Sequence, residues 1–376
     1  QVVPAIAKTW DVSDDGTTYT FHLNDGMTFS NGDKLDADDV AWSINELVTK
    51  QYHDADSLVN FVSVKASDPN TVELKLSAPY ANLLWVLTGR PGLVFDKDAK
   101  YDAKTQAIGS GPYTVEKFVT NSSITLKANP NYWGANKAKT DTVVVRYFTD
   151  DNAAVNALKS GDVQVLAPIS ENLAEPFTKD SDHYAVKAGD DTDKYVLAFN
   201  GTGAKTSDKR VRQAIRYAIN HKEIIASRGG SDTALGGPIP SLDPGYEDLT
   251  GIYPYDLDKA KSLMSEAGYS ESKPLQLSLT YANIYGTEIG DQLRSQLKKI
   301  GIDLKVNVVE FSTWLQDVYT NRNYDISLVD HNESHDFYQW ADPTYYYNYD
   351  NKEVQALYAK AVAATNDDDR DKLLAE

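Results

Sequence analysis

The sequence contains no cysteine among its 376 residues, which excludes disulfides, thiolate metal sites and a cysteine nucleophile. It also lacks any run of about 18 apolar residues, the length that a membrane-spanning helix needs. Positive charge is scarce, because 37 Lys and Arg residues stand against 55 Asp and Glu residues, for a net charge of -18. Such a charge repels phosphate backbones and anionic headgroups, so we expect no nucleic-acid partner.

Aromatic residues, in contrast, are plentiful, with 24 Tyr and 6 Trp. Amphipathic rings of this kind serve binding surfaces as well as cores. The length exceeds the roughly 250 to 300 residues at which a single core stops growing, so two or three domains are expected.

The first hundred residues predict a small α+β domain. Tyr19, Phe21 and Leu23 alternate as a strand, and turns at residues 24–26 and 31–32 predict that it continues as a β-hairpin. An amphipathic helix capped by Asp36 follows, and a further strand pair flanks residues 68–70.

Residues 109–134 predict a hairpin framed by two turns. Its first turn contains Gly109 and Pro112, and Asn129-Pro130-Asn131 supplies the second. Residues 142–166 then predict a strand, a helix that Gly161 ends, and a second strand at 163–166, in the order of a βαβ unit.

The second half of the chain predicts an α/β arrangement. A strand at 195–200 precedes a helix from Ser207, and Asp256 caps another helix that ends before Gly268. Alternating strands at 275–281 and 304–308 enclose a helix that ends at Gly301, which predicts a right-handed crossover.

Six segments, taken in order, resemble the family 5 extracellular solute-binding proteins, which are the peptide, nickel and oligosaccharide receptors of ABC importers. The most specific is Gly109-Ser110-Gly111-Pro112-Tyr113 with Asn129-Pro130-Asn131-Tyr132-Trp133-Gly134. The others are residues 4–21, 31–40, 199–220, 259–269 and 297–302.

The resemblance implies a two-lobed α/β fold of the periplasmic-binding-protein type, class II and large, with an additional small α+β domain. We expect the small domain at residues 1–106, a first ligand-binding lobe at 107–198 and a second at 199–376. Family members usually carry further segments before residue 4 and after residue 376, so the first lobe is expected to be incomplete at both chain ends.

Residues 330–349 have the most unusual composition in the chain. Seven aromatic residues lie between Phe337 and Tyr349, beside histidines and acids. This loop follows the carboxyl end of a predicted strand at 324–329, and α/β folds bind ligands at the carboxyl ends of their strands. A surface loop over a hydrophobic cluster is the simpler alternative, but the resemblance implies ligand contacts here.

In peptide-binding family members, an aspartate after this strand pairs with the terminal ammonium of the ligand. Asp336 is the first candidate for that role and Glu333 the second. Phe337, Tyr338 and Trp340 are expected to stack on side chains or sugar rings, and His331 and His335 complete the candidate site. Direct metal binding by the two histidines is not expected, since the loop does not predict the helix that their spacing requires.

The expected function is an extracytoplasmic, non-catalytic receptor that captures dipeptides or oligopeptides between two lobes by hinge closure. The alternatives are an oligosaccharide or metal-chelate receptor of the same family. A glycoside hydrolase pairing Asp330 with Glu333 or Asp336 is a further alternative, and no G-x-S-x-G, P-loop or HExxH motif is present. The expected partners are a small ligand and the permease of an ABC importer, with no cofactor, a monomeric state and membrane attachment only through a lipid anchor outside this sequence.

Overall fold

A computed structural model describes residues 2–376, which fall into two compact units. The first runs to Ala167 and includes Val362–Arg370, and the second comprises Pro168–Ala361 with Asp371–Glu376. The division into regions 1–106, 107–198 and 199–376 stays a prediction, although residues 168–198 here contact the second unit rather than the first.

The first unit contains two antiparallel sheets. The strands of its four-stranded sheet lie in the order β1-β2-β4-β3, and they are β1 (Ala7–Val12), β2 (Thr18–Leu23), β3 (Phe61–Asp68) and β4 (Thr71–Leu76). The three-stranded sheet consists of β5 (Tyr113–Val119), β6 (Ser123–Ala128) and β7 (Thr142–Arg146). Its helices are α1 (Ala37–Lys50), α2 (Leu83–Val86) and α3 (Asp151–Ser160).

Helix α1 forms where the sequence predicts it. The Asp36 side chain accepts a hydrogen bond from the backbone N–H of Asp38. The Asp39 carboxylate in turn accepts a hydrogen bond from the Asp36 N–H, which completes a capping box. The helix packs its apolar face, including Ile44 and Leu47, into one core with Leu74 of β4. Leu83 of the short helix α2 is fully buried in the same core.

Two predictions in the first unit are wrong. Strand β2 pairs with β1, which precedes it by a short loop, and with the more distant β4, so both of its hydrogen-bonding edges are occupied and no strand directly after residue 24 pairs with it. Residues 163–166 form no strand, and Val165 lies 80% exposed, so the predicted βαβ unit is absent there. Strand β7 instead pairs antiparallel with β6. The predicted hairpin of β5 and β6 is confirmed.

The second unit is built on one four-stranded sheet with the order β10-β9-β11-β8. Its strands are β8 (Lys194–Phe199), β9 (Leu275–Ala282), β10 (Ile302–Val309) and β11 (Ile326–His331). Strands β9, β10 and β11 run parallel, and β8 runs antiparallel to β11. The parallel pairing of β9 and β10, with a helix between them in the chain, confirms the predicted strand–helix–strand order, and the right hand of the crossover stays a prediction.

Among the described residues, eight α-helices follow α3 before the terminal helix and belong almost entirely to the second unit. They are α4 (Glu171–Lys179), α5 (Lys209–Ala218), α6 (His221–Ser227), α7 (Leu257–Glu266), α8 (Glu288–Lys298), α9 (Phe311–Trp314), α10 (Tyr338–Ala341) and α11 (Lys352–Val362). A π-helical stretch, Leu315–Thr320, continues α9, and a terminal helix, α12, spans Asp367–Ala375.

Two apolar cores lie on the two faces of this sheet. Alternate strand residues point to opposite faces, so Leu279 and Leu328 face the core shared with α5, α7 and α8. Ala198 and Val329 face the other core, which contains Trp314 and the buried rings of Tyr346 and Tyr347. The sheet therefore holds an aromatic-rich layer on one side.

Two glycines after helices α7 and α8 give a matched test of backbone strain. Both adopt left-handed φ values, +90° at Gly268 and +81° at Gly301. A Cβ at Gly268 would meet nothing within 4 Å, whereas at Gly301 it would lie 2.5 Å from the Ser270 carbonyl carbon. We expect Gly268→Ala to lower the free energy of unfolding by about 1 kcal/mol and Gly301→Ala by ~3 kcal/mol or more, as read from urea denaturation. Equal effects of the two variants would contradict the backbone contact at Gly301.

Candidate functional site

The candidate site begins at the sheet edge where the three parallel strands of the second unit finish. These strands end at Ala282, Val309 and His331. Strand β8 starts at the same edge, because Lys194 pairs in register with His331. The loop of residues 332–349 leaves from this edge, which is where α/β sheets bind ligands.

His331 lies on the aromatic-rich face of the sheet end, away from bulk water. Its Nε2 lies 2.8 Å from the Tyr347 hydroxyl and 3.2 Å from the Tyr346 hydroxyl. The Tyr347 hydroxyl also donates to Gln339 Oε1 at 3.0 Å. Burial, with Lys194 nearby, lowers the pKa of His331 to about 4, so the ring is neutral at pH 7.

Asp336, the first candidate for an ammonium anchor, has a partner within the protein. Its Oδ2 lies 2.9 Å from Lys194 Nζ, and the two side chains are only 3% and 1% exposed. Lys194 Nζ also donates to the Glu333 backbone carbonyl at 3.0 Å. Burial raises the pKa of Asp336 to about 6 even though Lys194 opposes the shift.

Glu333, the second candidate, is exposed. Its carboxylate accepts a hydrogen bond from the Tyr338 hydroxyl at 3.1 Å. Tyr338 itself is 40% exposed, so this carboxylate and ring are both accessible to a ligand. A carboxylate in this position can accept a charge-assisted hydrogen bond from a cation.

His335 belongs to a turn held by an aspartate from another loop. Its backbone N–H donates to Asp243 Oδ2 at 2.9 Å, and the Ser334 hydroxyl donates to Asp243 Oδ1. The His335 ring lies 3.6 Å from the same carboxylate, and its backbone takes the left-handed φ of +58°. Asp243 therefore fixes the turn between Glu333 and Asp336.

Phe337 and Trp340 belong to a cluster of aromatic rings. Their ring centroids lie 5.9 Å apart, and the Trp340 ring lies 5.3 Å from that of Tyr347. Both side chains line a cavity of about 290 Å³ within the second unit, together with Tyr349. The remaining lining residues are Gly237, Pro238, Ile239, Gly245, Glu247, Leu249, Val354, Leu374, Ala375 and Glu376.

Asp330 points to the opposite face of the sheet from His331, because the two are adjacent on β11. Its Oδ1 is buried and has no hydrogen-bond partner among residues 2–376. Burial raises the pKa of Asp330, and Asp193 adds to the shift. The hydrolase alternative needed Asp330 beside Glu333 or Asp336, and Asp336 is instead paired with Lys194.

The seven predicted residues lie at the end of β11, in the turn after it and at the start of or within the short helix α10. Sequence reasoning missed Lys194 and Asp243, the two charges that hold this turn. The sequence does contain a signal for Lys194. A lysine at the start of the apolar strand β8 is expected to be buried, and a buried charge needs a counterion. Asp243 had none, because its loop lies 92 residues from His335.

Two kinds of feature are absent from residues 2–376. No cluster of three or more His, Asp or Glu side chains has the arrangement to hold a metal ion. No helix in that part of the chain combines the length and apolar character needed to cross a membrane.

Comparison with known proteins shows what this arrangement resembles. The family model for bacterial extracellular solute-binding proteins, family 5 (middle), matches residues 1–356. A putative ABC transporter peptide-binding protein of Brucella ovis is 29% identical over 337 residues, covering 85% of this chain and 62% of the relative. The dipeptide-binding protein of Escherichia coli K12 is 29% identical over 350 residues, covering 84% of this chain and 65% of the relative.

Among solved structures, NikA from Brucella suis in complex with Fe(III)-EDTA superposes with a TM-score of 0.85. The two are 23% identical, and the match covers 99% of this chain and 81% of the other. This likeness confirms the predicted two-lobed α/β fold class. The chain spans about three fifths of the length of the Brucella ovis relative.

Proposed function

Because the chain belongs to family 5 of the bacterial extracellular solute-binding proteins, we propose that it is the ligand-binding component of an ABC importer and that its ligand is a short peptide. The observation that supports a peptide most directly is the pair of relatives named as peptide-binding and dipeptide-binding, which match over 85% and 84% of this chain. The relatives are transport proteins, and we propose that this chain likewise binds without catalysis.

The proposed ligand surface is the loop after β11. Exposed Glu333 offers a carboxylate for the terminal ammonium of a peptide, and Tyr338 beside it offers a ring edge and a hydroxyl. Trp340 and Phe337 provide apolar contact in the adjacent cavity. His331 and His335 support the loop through Tyr347 and the turn held by Asp243.

The anchoring role predicted for Asp336 now carries a condition. A ligand ammonium can reach its buried carboxylate only by replacing or joining Lys194, whose Nζ is 2.9 Å away. Glu333 requires no such exchange, so it is the favoured anchor of the two.

A metal-chelate ligand is the second candidate function, favoured by the likeness to NikA in complex with Fe(III)-EDTA. His331 is a poor ligand here, since its Nε2 already contacts two tyrosine hydroxyls. An oligosaccharide would use the same aromatic rings, and no contact in the loop favours it over a peptide.

The proposed setting follows from the family. We propose an extracytoplasmic location, a monomeric protein, docking on the permease of the importer, and membrane attachment only through a lipid anchor outside this sequence. Native mass spectrometry of protein purified without refolding tests the ligand class, because a series of peptide masses differs from one chelate or one sugar mass. A single bound chelate would replace the peptide proposal with the second candidate.

The anchor is tested by titrating alanyl-alanine and its N-acetyl form into the protein by calorimetry. In the wild type, we expect acetylation to weaken affinity about tenfold or more, because it removes the ammonium that pairs with a carboxylate. In Glu333→Gln, the acetylated and free peptides should bind alike, and Asp336→Asn should retain the wild-type difference. The matched control is Glu271→Gln, an exposed glutamate paired with Lys261 outside the loop. If Asp336→Asn rather than Glu333→Gln abolishes the difference, the anchor is Asp336.

A further inference from the structure

The turn between Glu333 and Asp336 is built around two buried charges of opposite sign. Lys194 contacts it from β8, and Asp243 contacts it from the loop that follows Pro240. Each charge binds both a side chain and a backbone group of the turn: Lys194 binds the Asp336 carboxylate and the Glu333 carbonyl, and Asp243 binds the Ser334 hydroxyl and the His335 N–H. The turn is therefore held at four consecutive residues.

This arrangement acts on the accessible groups that follow the turn. The Asp336 carbonyl accepts from the Gln339 N–H at 3.0 Å, which begins the short helix α10 that carries Tyr338 and Trp340. The Glu333 side chain projects into solvent from the residue whose carbonyl Lys194 holds. Displacing Lys194 would thus move both ends of the segment of residues 333–340.

A buried ion pair is a poor source of net stability, because removing two charges from water offsets most of their attraction. The His335 backbone also adopts a left-handed φ, which is uncommon for residues other than glycine, so contacts from outside the turn help to hold it. What the pair supplies is a fixed geometry for the turn, with the ammonium shared between a carboxylate and a carbonyl.

We propose that Lys194 is a positioning residue, which touches no ligand and holds segment 333–340 in the one conformation that presents Glu333 and Tyr338. The buried Asp336 is then the internal counterion of Lys194. The consequence for affinity rests on the proposed function, but the consequence for the conformation of the segment does not. Preorganisation of this kind improves binding because the segment need not be ordered when the ligand arrives.

The test compares amide hydrogen exchange in segment 333–340 between the wild type and the double variant Lys194→Met with Asp336→Leu. Replacing the pair with apolar side chains of similar size avoids leaving one charge buried, so we expect the urea midpoint to stay close to that of the wild type. Exchange at the hydrogen-bonded amides of His335, Gln339 and Trp340 should accelerate about tenfold or more, because these amides then open locally. Unchanged exchange in this segment would overturn the proposal.

The matched control is Lys205→Met, which makes the same substitution in a more exposed ion pair with Asp325 of the same unit. It should leave exchange at 333–340 unchanged. Should the double variant not fold, the isosteric Asp336→Asn takes its place, with faster exchange expected at the same amides and unchanged exchange again overturning the proposal.

A binding arm separates this proposal from the proposed function. When the wild type binds alanyl-alanine, the double variant should bind it about tenfold more weakly, while Lys205→Met binds as the wild type does. A wild type that binds no peptide removes the proposed function, yet the exchange result still decides the positioning role. Faster exchange with wild-type affinity would overturn the claim that the segment's geometry serves the ligand.

Discussion

Asn200→Asp is expected to lower the free energy of unfolding of the second unit by about 3–5 kcal/mol. The Asn200 side chain is buried, and its Nδ2 donates to the carbonyls of Arg322 and Tyr324, each at 3.0 Å. An aspartate has the same shape but places a carboxylate oxygen against both carbonyls, which removes two donors and adds repulsion. Urea denaturation followed by fluorescence measures the loss.

The variant has a useful control and a pH signature. Asn332→Asp makes the same change at an exposed position and should shift the midpoint little. The loss of unfolding free energy in Asn200→Asp should become smaller at acid pH, because protonation of the new carboxylate removes its charge and restores one hydrogen-bond donor. A variant as stable as the wild type at pH 7 would show that the Nδ2 contacts contribute little.

The second large effect is the pH dependence carried by His331. Its pKa is lowered from 6.5 to about 4 in the folded protein, so between those values the unfolded chain binds a proton that the folded protein does not. Stability from this group is therefore full above about pH 6.5 and is lost as the pH falls toward 4, to a total of about 3 kcal/mol. The His331→Gln variant lacks this pH-dependent contribution to the free energy of unfolding.

Measuring both proteins by urea denaturation at pH 7, 5.5 and 4.5 isolates the histidine. We expect the stability of the wild type relative to His331→Gln to decline steadily over this series. Asp336 changes the free energy of unfolding in the opposite direction. Its pKa is raised to about 6, so between pH 6 and 4 the folded protein binds a proton that the unfolded chain does not. That term is common to both proteins and cancels in the difference, so a constant difference across the series would refute the assignment of a neutral buried imidazole.

Local signals predicted the elements whose formation depends on neighbouring residues. The helix caps at Asp36 and Asp256 and the helix ends before Gly268 and Gly301 are all found where the sequence predicts them. Each depends on side chains within a few positions of one another, or on a backbone conformation that glycine alone adopts easily. The helix and strand periods that set the β9–α8–β10 crossover are likewise local.

Pairing choices were predicted less well. Alternation at residues 18–23 showed that a strand exists, but its partners β1 and β4 are decided by competition for hydrogen-bonding edges across the whole unit. Residues 163–166 have the composition of a strand, yet no neighbouring strand pairs with them. Propensity identifies which segments can pair, and tertiary structure decides which ones do.

By itself, the sequence determined the family, the α/β class and the loop that carries the candidate site, because these depend on ordered motifs and on composition. Only the tertiary structure decided how the acids of that loop differ. Asp336 and Glu333 are three residues apart and alike in charge, but one lies buried against Lys194 and the other faces solvent. The physical reason is that the contacts of this turn come from distant residues, since Lys194 lies 139 positions from Glu333 and Asp243 lies 92 positions from His335, and no local pattern brings them together.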